Sequence, residues 1–178
     1  VVRAMGKNSF GQLGDGTTST HTTPIISVGE GASGVVAVAA YATHSLSLKQ
    51  DGSLWAMGNN AYGQLGDGST TDRNTPVAVS GAGSGVVAVA SGYSHNLFLK
   101  ADGSVWAMGR NNRGQLGDGT ITDSSTPVAV SGAGASGVVA IAAGDFHSLF
   151  LKADGSVWGM GFNSEGAVGD GTTTSRNT

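Results

Sequence analysis

The sequence predicts an all-β fold, a β-propeller of four-stranded antiparallel blades, present as about three and a half repeats in a partial propeller or arc. Three observations carry that prediction. GQLGDG occurs verbatim at residues 11–16, 63–68 and 114–119, with a worn GAVGD starting at Gly166, so the anchor glycines stand 51 or 52 residues apart. A period of that length marks blades or solenoid units. Each period holds four short runs of strand character separated by turn residues. The composition, with 31 glycines, 3 prolines and 12% charged residues in a chain of 178, suits short strands and tight turns better than helices.

Taken in order, the chain opens on VVRAMG at 1–6, the counterpart of SLWAMG at 53–58, SVWAMG at 104–109 and SVWGMG at 156–161. Trp55, Trp106 and Trp158 therefore have Arg3 as their equivalent. TPIIS follows from Thr23 and returns as TPVAV at Thr75 and Thr126. Next comes an apolar run of the VVAVA type, then a run that opens on His44, His95 or His147 and ends in a lysine and a turn. In the second unit the four strands are expected at 76–79, 86–90, 95–100 and 104–109. SGAGSG joins the first two, and Ala101-Asp102-Gly103 joins the last two as a hairpin connection. Links this short favour antiparallel neighbours.

Within the third run His95, Leu97 and Leu99 alternate with Asn96, Phe98 and Lys100, so both faces carry apolar weight. VVAVA is apolar on both faces and reads as a buried inner strand. One such sheet cannot cover its own faces, so neighbouring units must stack on it. Each buried Val or Leu then contributes roughly 1.5–3 kcal/mol. The repeats run approximately 1–52, 53–103, 104–155 and, in part, 156–178, forming a single propeller-repeat region. In this order the chain supplies a lone last strand at 1–6, three complete blades and a trailing loop at 162–178. Three blades cannot close a ring, so the reading expects either a parent chain with further blades or a homo-oligomer.

Composition excludes several functions. The net charge of −3 and the lack of a basic patch argue against binding a phosphate backbone, so no nucleic-acid partner is expected. Without cysteine there are no disulfides or thiolate metal sites. No apolar run approaches the length of a membrane-spanning helix, and membrane insertion is not expected. The start at Val1, without an initiator methionine, reads as a processed product or a window from something longer. Gly, Ser and Thr richness with few lysines points to an extracellular or cell-surface location.

The joint pattern of GYSHNLFLKADGSVWAMG at 92–109, Asn-x-x-GQLGDG and TPVAV resembles the regulator-of-chromosome-condensation repeat in its bacterial-type tandem form, over essentially the whole chain. The resemblance implies a ring that typically closes at seven blades. It also implies binding, inhibition of a target among its forms, and, as an alternative, guanine-nucleotide exchange on a small GTPase. For exchange the chain shows neither a basic tail nor a long loop insertion.

The candidate sites divide into scaffold and surface. His44, His95 and His147 occupy one repeat position each, too far apart for a metal cluster, and read as imidazoles bonded to backbone between blades. His21, aligned with Arg73, Ser124 and Arg176, reads as a solvated loop residue. Asp15, Asp67, Asp118 and Asp170 lack the alternate ligand spacing of a calcium loop and read as turn residues, as do Asp51, Asp102 and Asp154. SGAGSG lacks the Lys-Ser/Thr of a phosphate loop, and no nucleophile elbow or paired catalytic carboxylates stand out. The reading is of a chain that is not an enzyme and takes no cofactor or metal.

Reversal of successive strands places the second-to-third-run links and the GQLGDG loops on one face. The hairpin turns at 50–53, 101–104 and 153–156 and the SGAG loops fall on the other, which is nearly uniform. The first face varies from copy to copy: Tyr41, Tyr93 and Asp145-Phe146 precede the histidines, while Tyr62, Arg110, Arg113 and Phe162 stand just before or at the head of the GQLG segments. Aromatic and arginine side chains supply binding anchors, which makes Tyr41, Tyr62, Tyr93, Arg110, Arg113, Asp145, Phe146 and Phe162 the candidate binding residues. Drift on a solvated rim is the competing reading. The expected function is a noncatalytic protein- or glycan-binding propeller module of a secreted or surface protein. The alternative is a self-assembling component of a surface fibre or adhesin, suggested by the near-identity of units two and three.

Overall fold

The computed structural model describes residues 1–132 and 135–178; the SGAG loop of the third unit lies partly outside the described residues. Thirteen strands are formed among the described residues, and every pairing between them is antiparallel. β1 (Arg3–Gly6) and β2 (His21–Ile26) make a two-stranded piece, followed by a single 3-10 turn at Glu30–Ala32. The first full sheet has the order β3 (Val35–Tyr41), β4 (His44–Lys49), β5 (Leu54–Gly58), β6 (Arg73–Ala78). The second repeats it with β7 (Val86–Ser91), β8 (His95–Lys100), β9 (Val105–Gly109) and β10 (Ser124–Ala129). β11 (Val138–Ala143), β12 (His147–Lys152) and β13 (Val157–Gly161) form a third, and a bridge from Gly161 to Arg176 marks its fourth position.

The sheets are phased differently from the sequence reading. β6, which carries Thr75 and Pro76, pairs with β5 and not with β7: Trp55 lies opposite Ala78 and Ala56 opposite Val77. The proline strand thus closes the preceding sheet across the long GQLGDG loop, and SGAGSG leads to the next sheet. Proline offers no N–H to a ladder and belongs at an edge. The strand's first half, with Asn74 exposed and Arg73 and Thr75 half-buried, suits the wet outer rim. The small Val and Ala side chains of β3, β7 and β11 suit the crowded inner edge, where β3 lies against β7 and β7 against β11. The chain therefore holds two complete sheets flanked by a two-stranded and a three-stranded one, in place of three complete blades, a lone strand and a trailing loop.

The inner strands are not buried throughout. Val36, Val87 and Val139 are 62%, 53% and 54% exposed. Each falls where the register shifts between inner strand and partner, a bulge that leaves one residue outside the ladder.

The core lies between sheets. Leu46, Leu48 and Leu54 of the first sheet meet Phe98 and Met108 of the second, and Leu97, Leu99 and Val105 meet Phe150 and Met160 of the third. Leu65 and Leu116, from the GQLGDG loops, plug these two seams. Beyond the third sheet the same positions lie open: Leu151 is 38% exposed, where its equivalents Leu48 and Leu99 are 3% and 4%.

The repeated motif makes the joints. Asn60 accepts from the Leu65 N–H at 2.9 Å and donates to Asp67 and to the carbonyls of Ser69 and Thr71, closing the loop on itself. Gly68 N–H then reaches the Ser125 carbonyl of the next sheet at 2.9 Å, and Gly16 does the same to Asn74. Gly63 has φ +77°, and a Cβ there would collide with the backbone of Ser125, so glycine is what lets loop and strand touch.

Candidate binding face

The face is built where the inner strands end. Because β3, β7 and β11 stand side by side, the short links after them meet, and their aromatic residues form a ladder across three sheets. Ring centroids are 6.2 Å apart from Tyr41 to Tyr93, 5.7 Å from Tyr93 to Phe146 and 6.5 Å from Phe146 to Phe162. The first and last steps are edge-on at 66° and 86°, a favourable quadrupole arrangement. The Tyr41 hydroxyl donates to the Asp145 carboxylate, which raises the phenol above its ordinary range. Tyr93 N–H donates to the Asp145 carbonyl at 3.2 Å, so Asp145, in the third sheet, ties the first and second sheets to its own.

The long loops flank the ladder. The Arg110 guanidinium lies 4.7 Å from the Tyr62 ring centroid, and that of Arg113 lies 4.9 Å from Phe162. Such stacking on a ring face is electrostatically favourable. Arg110, Arg113, Phe146 and Phe162 enclose a groove together with Asn112. All eight candidate residues thus fall into one connected network. Sequence reasoning missed Asn112, although it is exposed and sits where the other copies carry Ser9, Ala61 and Ser164.

Two of the histidines and the turn aspartates are engaged in the scaffold. His44 Nε2 bonds Asn96 Oδ1 of the next sheet at 2.9 Å, and His95 Nε2 bonds Ser148 Oγ at 3.0 Å. These bonds join sheets as expected and end on side chains, with the backbone of His147 in the next sheet also acting on His95. Asn96 and Ser148 in turn donate to the carbonyls of Gln64 and Gln115, at 2.7 and 2.8 Å, which is why a polar residue follows the histidine. Burial, with His44 and His147 nearby, pushes His95 down to about 3; burial lowers His44 as well, against its bond to Asn96.

His21 is a correction. It opens β2, and its Nε2 lies 3.0 Å from the Asp15 carboxylate, the place taken by Arg73 on Asp67 and Arg176 on Asp170. The loop aspartates accept N–H bonds from the residue two positions on, as with Asp67 and Ser69 at 2.9 Å, and the hairpin aspartates do likewise, as with Asp102 and Ser104 at 2.9 Å.

Comparison with known proteins agrees with this architecture. The sequence profile of the regulator of chromosome condensation (RCC1) repeat matches residues 51–99 and 102–151, and a second profile of that description matches 35–64, 86–115 and 138–167. The ultraviolet-B receptor UVR8 of Arabidopsis thaliana is 35% identical over 172 residues, covering 96% of this chain and 39% of the receptor. The human E3 ubiquitin-protein ligase HERC2 is 32% identical over 94% of this chain, which spans 4% of the ligase. Among solved structures, human WBSCR16 superposes with a TM-score of 0.80 at 27% identity, over 90% of this chain and 42% of that one. Yeast RCC1 bound to Kap60 superposes with a TM-score of 0.81 at 21% identity, over 99% of this chain and 43% of that one.

Proposed function

The chain belongs to the regulator of chromosome condensation repeat family, and from that premise we propose that it is a noncatalytic protein-binding module whose partner docks on the aromatic face. One observation carries the reading: residues that differ between otherwise near-identical units meet in a single ladder, Tyr41, Tyr93, Phe146 and Phe162, flanked by two stacked arginines. Rigid aromatic and guanidinium anchors concentrate binding energy at protein interfaces. Two groups able to do acid–base chemistry, His44 and His95, join sheets, and aspartates such as Asp67 and Asp102 hold turns. The Gly-, Ser- and Thr-rich composition supports a secreted or cell-surface setting.

The test is capture from an extract on the immobilised chain. Tyr93→Ala with Phe146→Ala and Arg113→Ala is expected to abolish capture of partners that the unaltered chain retains. Gln50→Ala with Ser84→Ala, on the opposite face, leaves capture intact. Retention by the first variant would overturn the reading.

A second reading, self-assembly, is favoured by the open face of the third sheet, where Leu151 and Val157 are exposed. Light scattering separates it from the first: a strictly monomeric chain removes it.

A further inference from the structure

We propose that the groove between Arg110 and Arg113 takes a linear acidic peptide segment, one carboxylate on each guanidinium and an aromatic or aliphatic side chain between them on Phe146 and Phe162. The proposal rests on the reading of this face as a protein-binding surface and names what that surface selects.

Of the arginines whose loops follow the repeat, Arg73 and Arg176 are neutralised by Asp67 and Asp170 at 2.8 and 2.7 Å. Arg110 and Arg113 have no carboxylate within ion-pair distance among the described residues; each touches an aromatic ring instead. The carboxylates of the surrounding loops are already engaged. Asp145 accepts the Tyr41 hydroxyl, Asp123 the Asn111 N–H at 2.7 Å, Asp72 the Asn60 N–H at 2.7 Å, and Glu165 the Ser164 hydroxyl at 3.3 Å. On a chain of net charge −3, these two guanidiniums are left without a carboxylate in contact and are free to pair with one that a ligand brings.

Geometry supplies the rest. An aromatic ring accepts no conventional hydrogen bond from a guanidinium placed over it, which keeps N–H donors for a carboxylate, a group that the fork matches with two parallel bonds. Tyr62 and Phe162 each lie against one guanidinium, so less side-chain freedom is lost when a ligand arrives. Phe146 and Phe162 form the apolar floor, and Asn112 adds an amide within reach of a peptide backbone. Two arginines set among carboxylates are too few to track a nucleic-acid backbone, which needs a run of cations.

A phage-displayed library of random 12-residue peptides, panned on the immobilised 178-residue chain, tests this, with affinities of the enriched peptides then read by fluorescence anisotropy. Enriched sequences are expected to carry two Asp or Glu residues flanking an aromatic or leucine. Their affinity should fall at least tenfold in Arg110→Gln with Arg113→Gln, and fall again between 50 and 300 mM salt. Arg110→Lys with Arg113→Lys should keep the salt dependence and bind less tightly than the parent. Neutral peptides that bind the glutamine variant equally well, but are lost in Tyr93→Ala with Phe146→Ala, would overturn the acidic assignment and leave the face reading standing. Peptides indifferent to both pairs, or no enrichment, would overturn both.

Discussion

His95 is fully buried, its Nε2 held by Ser148 and its proton affinity pushed down to about 3 by loss of solvent and by the imidazoles of His44 and His147. In the unfolded chain the same group titrates near 6.5. Below that pH the unfolded state takes up a proton that the native state refuses, so the stability contributed by keeping His95 neutral is whole above about 6.5. It is lost progressively as pH falls toward 3. Each such histidine gives a slope of about 1.4 kcal/mol per pH unit once well below 6.5. His44 adds in the same direction. The turn aspartates Asp51, Asp102 and Asp154, lowered from 3.8 by their serine donors, withdraw their support only below about 4, which leaves the interval from 6.5 to 4.5 to the histidines. Urea midpoints should be level from pH 8 to 7 and drop steadily from 6.5 to 4.5, with a shallower drop in His95→Gln. A midpoint indifferent to pH over that interval would contradict the account. The candidate residues of the aromatic face stood out in the sequence as positions that change between copies. Their contacts did not, since Tyr41 and Asp145 lie 104 positions apart and meet only because inner strands of three sheets converge.

At the scale of the element, one repeat position reports on how much its neighbour matters. Leu48, Leu99 and Leu151 occupy the same place in β4, β8 and β12, and the first two are sealed while the third is 38% exposed. Leu99→Ala is expected to cost about 2–5 kcal/mol, the range for a buried leucine in a packed core. Leu151→Ala, which removes atoms already wet, should cost under about 1 kcal/mol, and equal losses in thermal unfolding would show that the seams are not the main adhesion. The strands themselves were legible from alternation and turn residues. Their grouping was not, because a six-residue SGAGSG link looks like the natural partner-maker beside a loop of fourteen. What decides is which edge each strand suits: Pro76 and the polar start of β6 need the rim, while the small residues of β7 need the hub. That contrast was present in the sequence and carries the phase.

For the whole molecule, sheets whose apolar cores meet only those of their neighbours make stability largely a sum over seams, the Tyr41–Asp145 hydrogen bond being a contact that skips one. The open face of β11, β12 and β13 is then a seam without its other half. Extending the chain after Thr178 with a copy of residues 127–178 would continue the repeat in phase and lay a new sheet on that face. The extended chain should melt at a higher temperature, and Leu151→Ala within it should become as damaging as Leu99→Ala. An unchanged cost would mean that the added unit does not dock.

The phase of the sheets has a further consequence at the loop 79–85. This segment joins β6 to β7, two strands that do not pair, whereas the two sheets are held to each other by Leu46, Leu54 and Phe98, by His44 on Asn96 and by Gly68 on Ser125. Covalent continuity and adhesion therefore run through different residues. A cut between Gly83 and Ser84 would break no ladder bond, and the two pieces are expected to stay together as a single particle: the molecule is divisible along its sequence where it is undivided in space.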